Sequence, residues 1–163
     1  MGNRMRVTVA ALTVLGLPPL AGCEDSEQAG YLEAEREFRD FQKIYPILAR
    51  DCGFHTCHGA EERFFRIYAP GRDRLESETR AFDAVTGAEA SASYVSARSM
   101  VDGDNPEDSL LLRKPLSVAA GGAEHEGVDG FGRDVYRTVN DEGYVAIASW
   151  VFALPQPEED EEE

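Results

Sequence analysis

The sequence predicts a mostly α-helical domain with long irregular loops. Two stretches, one towards each end, repeat apolar residues at helical spacing. A third stretch between them carries helix-start and helix-stop residues. The segments that join them are long and irregular, with weak periodicity. A chain of 163 residues is enough for one domain, and its eight Phe, six Tyr and one Trp can fill one core.

The amino end stands apart from that domain. Arg4 and Arg6 precede the apolar run "VTVAALTVLGL". A bilayer crossing needs about 20 apolar residues, and this run is far shorter. A basic start and a short apolar run are the pattern of a secretory signal. The run leads into Leu20-Ala21-Gly22-Cys23. In that box the sequence resembles bacterial lipoprotein precursors. The resemblance implies cleavage before Cys23, acylation of its thiol, and a soluble domain tethered to a membrane face. Residues 1–22 are therefore expected to be a lipoprotein signal peptide and 23–30, "CEDSEQAG", a polar tether. The domain is expected over 31–154.

The first helix lies in "YLEAEREFRDFQKIYPILARDC". Tyr31, Ala34, Phe38, Phe41, Tyr45 and Leu48 share one face, with Glu33, Glu35, Arg36, Arg39 and Asp40 outside it. Pro46 should kink this helix or restart it near Tyr45. "RFFRIYAPGRDRL" reads as a short strand or extended segment that turns at Pro70-Gly71. Residues 76–92 read as a loop or a poor helix, and "SYVSARSMV" is ambiguous. In "DNPEDSLLLRKP", Asn105 can be an N-cap and Pro106 the first helical residue. Glu107 and Asp108 suit the positive end of the helix dipole, and Pro115 stops the helix. A loop with five glycines between 121 and 132 follows. The last helix lies in "NDEGYVAIASWVFALP", with Asn140 or Asp141 as its cap and Pro155 at its end. Tyr144, Ile147, Ala148, Val151 and Phe152 form its apolar face. Residues 155–163 contain the run "PEEDEEE", expected to be a disordered acidic tail.

The formal charge of −15 argues against nucleic acid as a partner, because a phosphate backbone needs a basic surface. It argues equally against docking on an anionic lipid face. No Gly-x-Ser-x-Gly, His-Glu-x-x-His or phosphate-binding Gly-rich loop is present. Ser109 and Ser149 have no evident base partner, so an enzyme is not the expected reading.

The chemistry concentrates in "DCGFHTCHG", residues 51–59. With Cys23 assigned to lipid, Cys52 and Cys57 remain as a pair in an oxidising compartment. The usual signature for covalent haem c is Cys-x-x-Cys-His, in which the histidine after the second cysteine binds the iron. Here Cys57 and His58 keep that adjacency, while four residues separate the cysteines instead of two.

Two pieces of the chain resemble a known group, the small planctomycete-type cytochrome c domains of envelope proteins. The first is "YPILARDCGFHTCHG". The second is "SLLLRKPL", a Gly-Gly loop with a histidine, and "FGRDVYRTVNDEGYVAIASWV". The resemblance covers residues 44–60 and 105–152 and leaves 61–104 unaccounted for. The chain departs from the family in its wide cysteine spacing and in placing His125 after Gly121-Gly122. The resemblance implies a cytochrome c-like helical domain and one-electron transfer at the periplasmic side of the envelope. Haem c would be held by Cys52 and Cys57, with His58 as an iron ligand.

The distal ligand comes from a short inventory: His55, His125, Met100, Lys43 and Lys114. His125 is the first choice and Met100 the second, whereas His55 lies inside the cysteine loop. The redox partner is unknown, and an acidic surface suits a basic one. Three alternatives stay open. One is a cofactor-free structural or binding lipoprotein closed by a Cys52–Cys57 disulfide. Another is zinc on Cys52, Cys57, His58 and His125. The third is a haem enzyme such as a peroxidase, with an open iron position if neither His125 nor Met100 binds.

Overall fold

The computed structural model describes residues 24–125 and 134–155. The expected signal peptide, Cys23, the glycines 127, 130 and 132, and the acidic run from 156 onwards lie outside the described residues. Four α-helices appear in order: α1 (Glu24–Asp51), α2 (Gly87–Arg98), α3 (Leu110–Arg113) and α4 (Glu142–Phe152). Single 3-10 turns occupy Pro106–Asp108 and Val118–Ala120. Among the described residues no strand forms, and the only bridge is a parallel one between Leu116 and Tyr136. The mostly α class holds.

Helix α1 carries most of the frame. It starts at Glu24, so residues 24–30, expected as a polar tether, continue the helix. Glu, Gln and Ala are good helix formers, and acids in a first turn complement the dipole. The apolar face is buried from its second half onwards: Phe41, Ile44, Tyr45 and Leu48 are core residues, whereas Ala34 is exposed and Phe38 half-buried. Pro46 stands inside the helix and does not end it. A proline there removes the hydrogen bond to the Gln42 carbonyl and costs about 3 kcal/mol. Burial of Phe41, Ile44, Tyr45 and Leu48 around it outweighs that cost, at roughly 1.5–3 kcal/mol for each large side chain.

Helix α4 packs on α1 and α3, and α2 packs on α1. Ile147, Trp150 and Val151 of α4 are buried, but Phe152 is 57% exposed and is not part of the inward face. The contact with α1 is aromatic: Phe41 meets Trp150 edge-on at 5.5 Å and Tyr94 of α2 at 5.4 Å. Such pairs add about 0.5–1.5 kcal/mol beyond burial. Asp141 precedes α4, yet its carboxylate accepts from the Arg137 and Thr138 N–H groups and does not cap the helix.

The middle helical stretch is shorter than its residues predict. Asn105 and Pro106 open only a 3-10 turn, Ser109 breaks the run, and α3 covers Leu110–Arg113. The local competitor is Asp102, whose carboxylate accepts from the Asp104 and Asn105 N–H groups. Leu111 and Leu112 are buried and Leu110 is exposed.

Helix α2 is the element that periodicity does not announce. Its residues are small, and few are large and apolar. It is held at its start by a capping box, in which Thr86 accepts from the Glu89 N–H and Glu89 accepts from the Thr86 N–H. Replacing Thr86 with alanine is expected to lower stability by about 1 kcal/mol, measured by denaturant unfolding. The segment before it is extended without pairing as a strand: Phe65 and Ile67 point inward while Phe64 is exposed. It is tied to α2 by Ser96 and Ser93, which accept from the Arg66 and Tyr68 N–H groups. The turn at Pro70-Gly71 is present, closed by the Arg72 N–H donating to the Ala69 carbonyl.

Candidate functional site

The end of α1 runs directly into the cysteine loop. The Cys52 and Gly53 N–H groups both donate to the Leu48 carbonyl, the second as the helix unwinds. The loop then closes on itself. The His58 N–H donates to the Cys52 carbonyl at 3.0 Å, and the Cys57 and Gly59 N–H groups donate to the Phe54 carbonyl. Gly59 makes this closure possible, since a Cβ at that position would lie 2.1 Å from the Gly53 carbonyl oxygen. Of the four residues between the cysteines, Phe54, His55 and Thr56 fold outward and are exposed, while Gly53 stays buried. Arg72 covers the loop by stacking its guanidinium on Phe54 at 4.2 Å.

A second set of contacts fixes the start of the loop. Asp51 accepts two hydrogen bonds from Arg50 and one from the Tyr136 hydroxyl at 2.8 Å. Burial, and then the neighbouring Cys52 and Asp51, hold the Tyr136 phenol far above its ordinary range, so it stays a donor.

His58 is held by its own fold. Its Nδ1 lies 3.0 Å from the Phe65 carbonyl oxygen, which can only accept. Nδ1 therefore carries the proton, and the Nε2 lone pair is left for another partner. Burial, the largest cause, lowers the His58 pKa below its ordinary value, so the ring is neutral near pH 7. A neutral imidazole with its other nitrogen tied to a carbonyl is the state in which histidine binds a metal.

His58 and His125 meet across a cavity of ≈ 960 Å³. Their ring centroids are 5.9 Å apart and their planes lie within 20° of parallel. Cys52, Cys57 and Met100 line the same cavity. Sequence separation between 58 and 125 is thus removed by the fold. His55 is exposed and takes no part in the cavity, and Lys43 pairs with Asp40 on the surface. Met100 is half-buried, packs against the core and lines the same cavity.

The donor set fits some groups and not others. Cys52 and Cys57 are both free thiols. Burial, followed by Asp51 and Cys57, pushes the Cys52 thiol up to about 12. That protonated, enclosed thiol is a poor zinc ligand and a poor redox nucleophile. Among the described residues no three His, Cys, Asp or Glu side chains converge as a metal cage requires. The zinc set Cys52, Cys57, His58 and His125 is therefore not assembled. Two imidazoles and two thiols line one large, partly apolar cavity. The two rings are stacked, with their centroids 5.9 Å apart.

Sequence reasoning did not find Phe65, Tyr136 or Gly59 as supports of this site. Phe65 acts through its backbone, which leaves no residue-type signal. Comparison with known protein families, characterised proteins and solved structures gives no match. Among the described residues no helix is long and apolar enough to cross a membrane.

Proposed function

We propose that this protein is a cytochrome c-like electron carrier. Haem c is attached through Cys52 and Cys57, and its iron is bound by His58 and His125. The observation that carries the proposal is the pair of near-parallel imidazoles 5.9 Å apart in one cavity, with His58 directly after Cys57. The iron supplies the one-electron chemistry when haem is bound. The chain's own residues bind and orient it. The Phe65 carbonyl sets the His58 tautomer, Cys52 and Cys57 stand in the cavity wall, and apolar residues such as Phe65, Leu111 and Val135 line the cavity. Two imidazole ligands favour a lower reduction potential than the Met/His set that Met100 would give.

The same proposal places the domain on the periplasmic side of the envelope, held to a membrane by lipid on Cys23. The redox partner is proposed to be basic. Supporting this, Asp51, Glu124 and Asp134 outnumber Arg63 and Lys114 around the cavity, and the chain carries −15 overall.

An absorbance spectrum tests the proposal. The mature chain is produced in cells with a haem c maturation system and recorded before and after dithionite. The expected result is a sharp reduced α band that stays with the protein through acid-acetone extraction. A colourless product without free thiols would replace the proposal with a cofactor-free lipoprotein closed by a Cys52–Cys57 disulfide.

A further inference from the structure

His125 sits at the end of a strap that leaves α3, passes through one 3-10 turn and returns to the cavity. Three contacts fix that strap on the side before His125. The Gly122 N–H donates to the Ser117 carbonyl at 3.0 Å, and the Ala123 N–H donates to the Arg113 carbonyl at 2.8 Å. The Lys114 ammonium donates to the Glu124 carbonyl at 2.7 Å, one residue before the imidazole. All three partners lie in or just after α3, and α3 is anchored in the core by Leu111 and Leu112. The strap is thus a short arm on a fixed base.

Gly122 is the point where the arm presses closest to that base. A Cβ built there would lie 1.9 Å from the Leu116 carbonyl oxygen and 2.9 Å from the Arg113 carbonyl oxygen. Both obstacles are backbone, so no side-chain rotation relieves them. Any larger residue must push the strap outward and carry residues 123–125 with it. Lys114 acts on the other side of the same lever. Its long chain lines the cavity while its charged head grips the strap.

We infer that Lys114 and Gly122 are positioning residues that hold the His125 imidazole opposite that of His58 and so set the ligation of the iron. The inference rests on the proposed haem reading, and it adds what places the second ligand. A charge-assisted bond to one carbonyl is the softer restraint, since Lys114 is exposed. The steric limit at Gly122 is the harder one. Gly122→Ala should therefore have a larger effect than Lys114→Met.

The test uses the mature, haem-loaded chain and reads the spin state of the ferric iron and carbon monoxide binding by the ferrous form. Wild type is expected to be low-spin and slow to bind carbon monoxide. Gly122→Ala should lose the low-spin signal from most of the population and bind carbon monoxide readily, as His125→Ala does. Lys114→Met should lose it in part, and Lys114→Arg, which keeps a cationic donor, should restore it. Wild-type spectra in both Gly122→Ala and Lys114→Met would overturn the inference, and so would a wild-type spectrum in His125→Ala. If no haem is retained by wild type, the haem reading fails separately. The inference is then judged by nuclear Overhauser contacts between the His58 and His125 rings in the unloaded chain. Loss of those contacts in Gly122→Ala upholds the positioning role, and their persistence overturns it.

Discussion

Substituting Glu89 with alanine is expected to destabilise the protein by about 3–5 kcal/mol, the range for leaving one partner of a buried ion pair behind. Glu89 is fully buried at the start of α2. Its carboxylate takes two bonds from Arg74, at 2.7 and 2.9 Å, and one each from the Leu75 and Thr86 N–H groups. Arg74 in turn donates to the carbonyls of Arg80, Ala81, Asp83 and Ala84. One carboxylate thus fixes α2, and the guanidinium it holds ties down the irregular segment before that helix. Removing the carboxylate leaves a buried cation and two orphaned N–H groups. Urea unfolding at pH 7 measures the loss. A change near 1 kcal/mol would mean that the pair is more hydrated than its burial indicates.

The same residue predicts a pH dependence. Arg74, first, and the Thr86 and Leu75 N–H groups hold the Glu89 carboxyl down at about 2, against an ordinary value of 4.5. The unfolded chain therefore binds a proton at higher pH than the native one. The stabilisation is complete above about pH 4.5 and is lost as pH falls through about 2. Wild type and Glu89→Gln should differ most near neutrality and converge in acid. A difference that stays constant from pH 7 to pH 2 would contradict the assignment.

Glu89 also shows where sequence reading stops. The outer helices were legible because burial on one face writes a 3.6-residue period, as with Phe41, Tyr45 and Leu48. Helix α2 buries Ala90, Ser93 and Ala97, and small residues write no such period. Its one sequence signal was Thr86-x-x-Glu89, a capping box that the weak periodicity around it concealed. The pairing of Glu89 with Arg74 spans an irregular loop and has no local signature at all. Phe152 erred the other way. It fits the apolar face of α4 by spacing, but the core ends at Val151 and Leu154, and its ring is left in solvent. At the site, Cys57-His58 was readable as adjacent residues. The meeting of His58 with His125 is a property of the strap after α3, held by backbone bonds, by the lack of a side chain at Gly122 and by Lys114, none of which is a local pattern around His125.

On the proposed haem reading, substituting His58 with alanine is expected to abolish iron ligation on the loop side while leaving the fold nearly intact. The fold loses little because the His58 side chain makes one hydrogen bond, to the Phe65 carbonyl, and ring contacts with Phe65 at 4.5 Å and His125 at 5.9 Å, while its backbone bonds are kept. A single net hydrogen bond contributes about 0.5–1.5 kcal/mol, so urea unfolding of the unloaded variant should shift only by that order. The loaded protein should change much more. Without the imidazole the iron keeps at most the ligand from His125, the reduced α band broadens, and the low-spin ferric signal is lost. His58→Met separates ligation from mere presence of the ring. It returns a soft axial ligand to the same backbone position, and a Met/His pair raises the reduction potential above that of wild type. A methionine has no N–H to give the Phe65 carbonyl, so the potential of this variant rises while the loop loses the bond that orients residue 58. An unchanged spectrum in His58→Ala would remove His58 from the iron and leave its neutral, carbonyl-tied state without a ligand to explain it. A colourless wild type, with His58→Ala shifting stability by no more than that single hydrogen bond, would assign the histidine to closure of the cysteine loop alone.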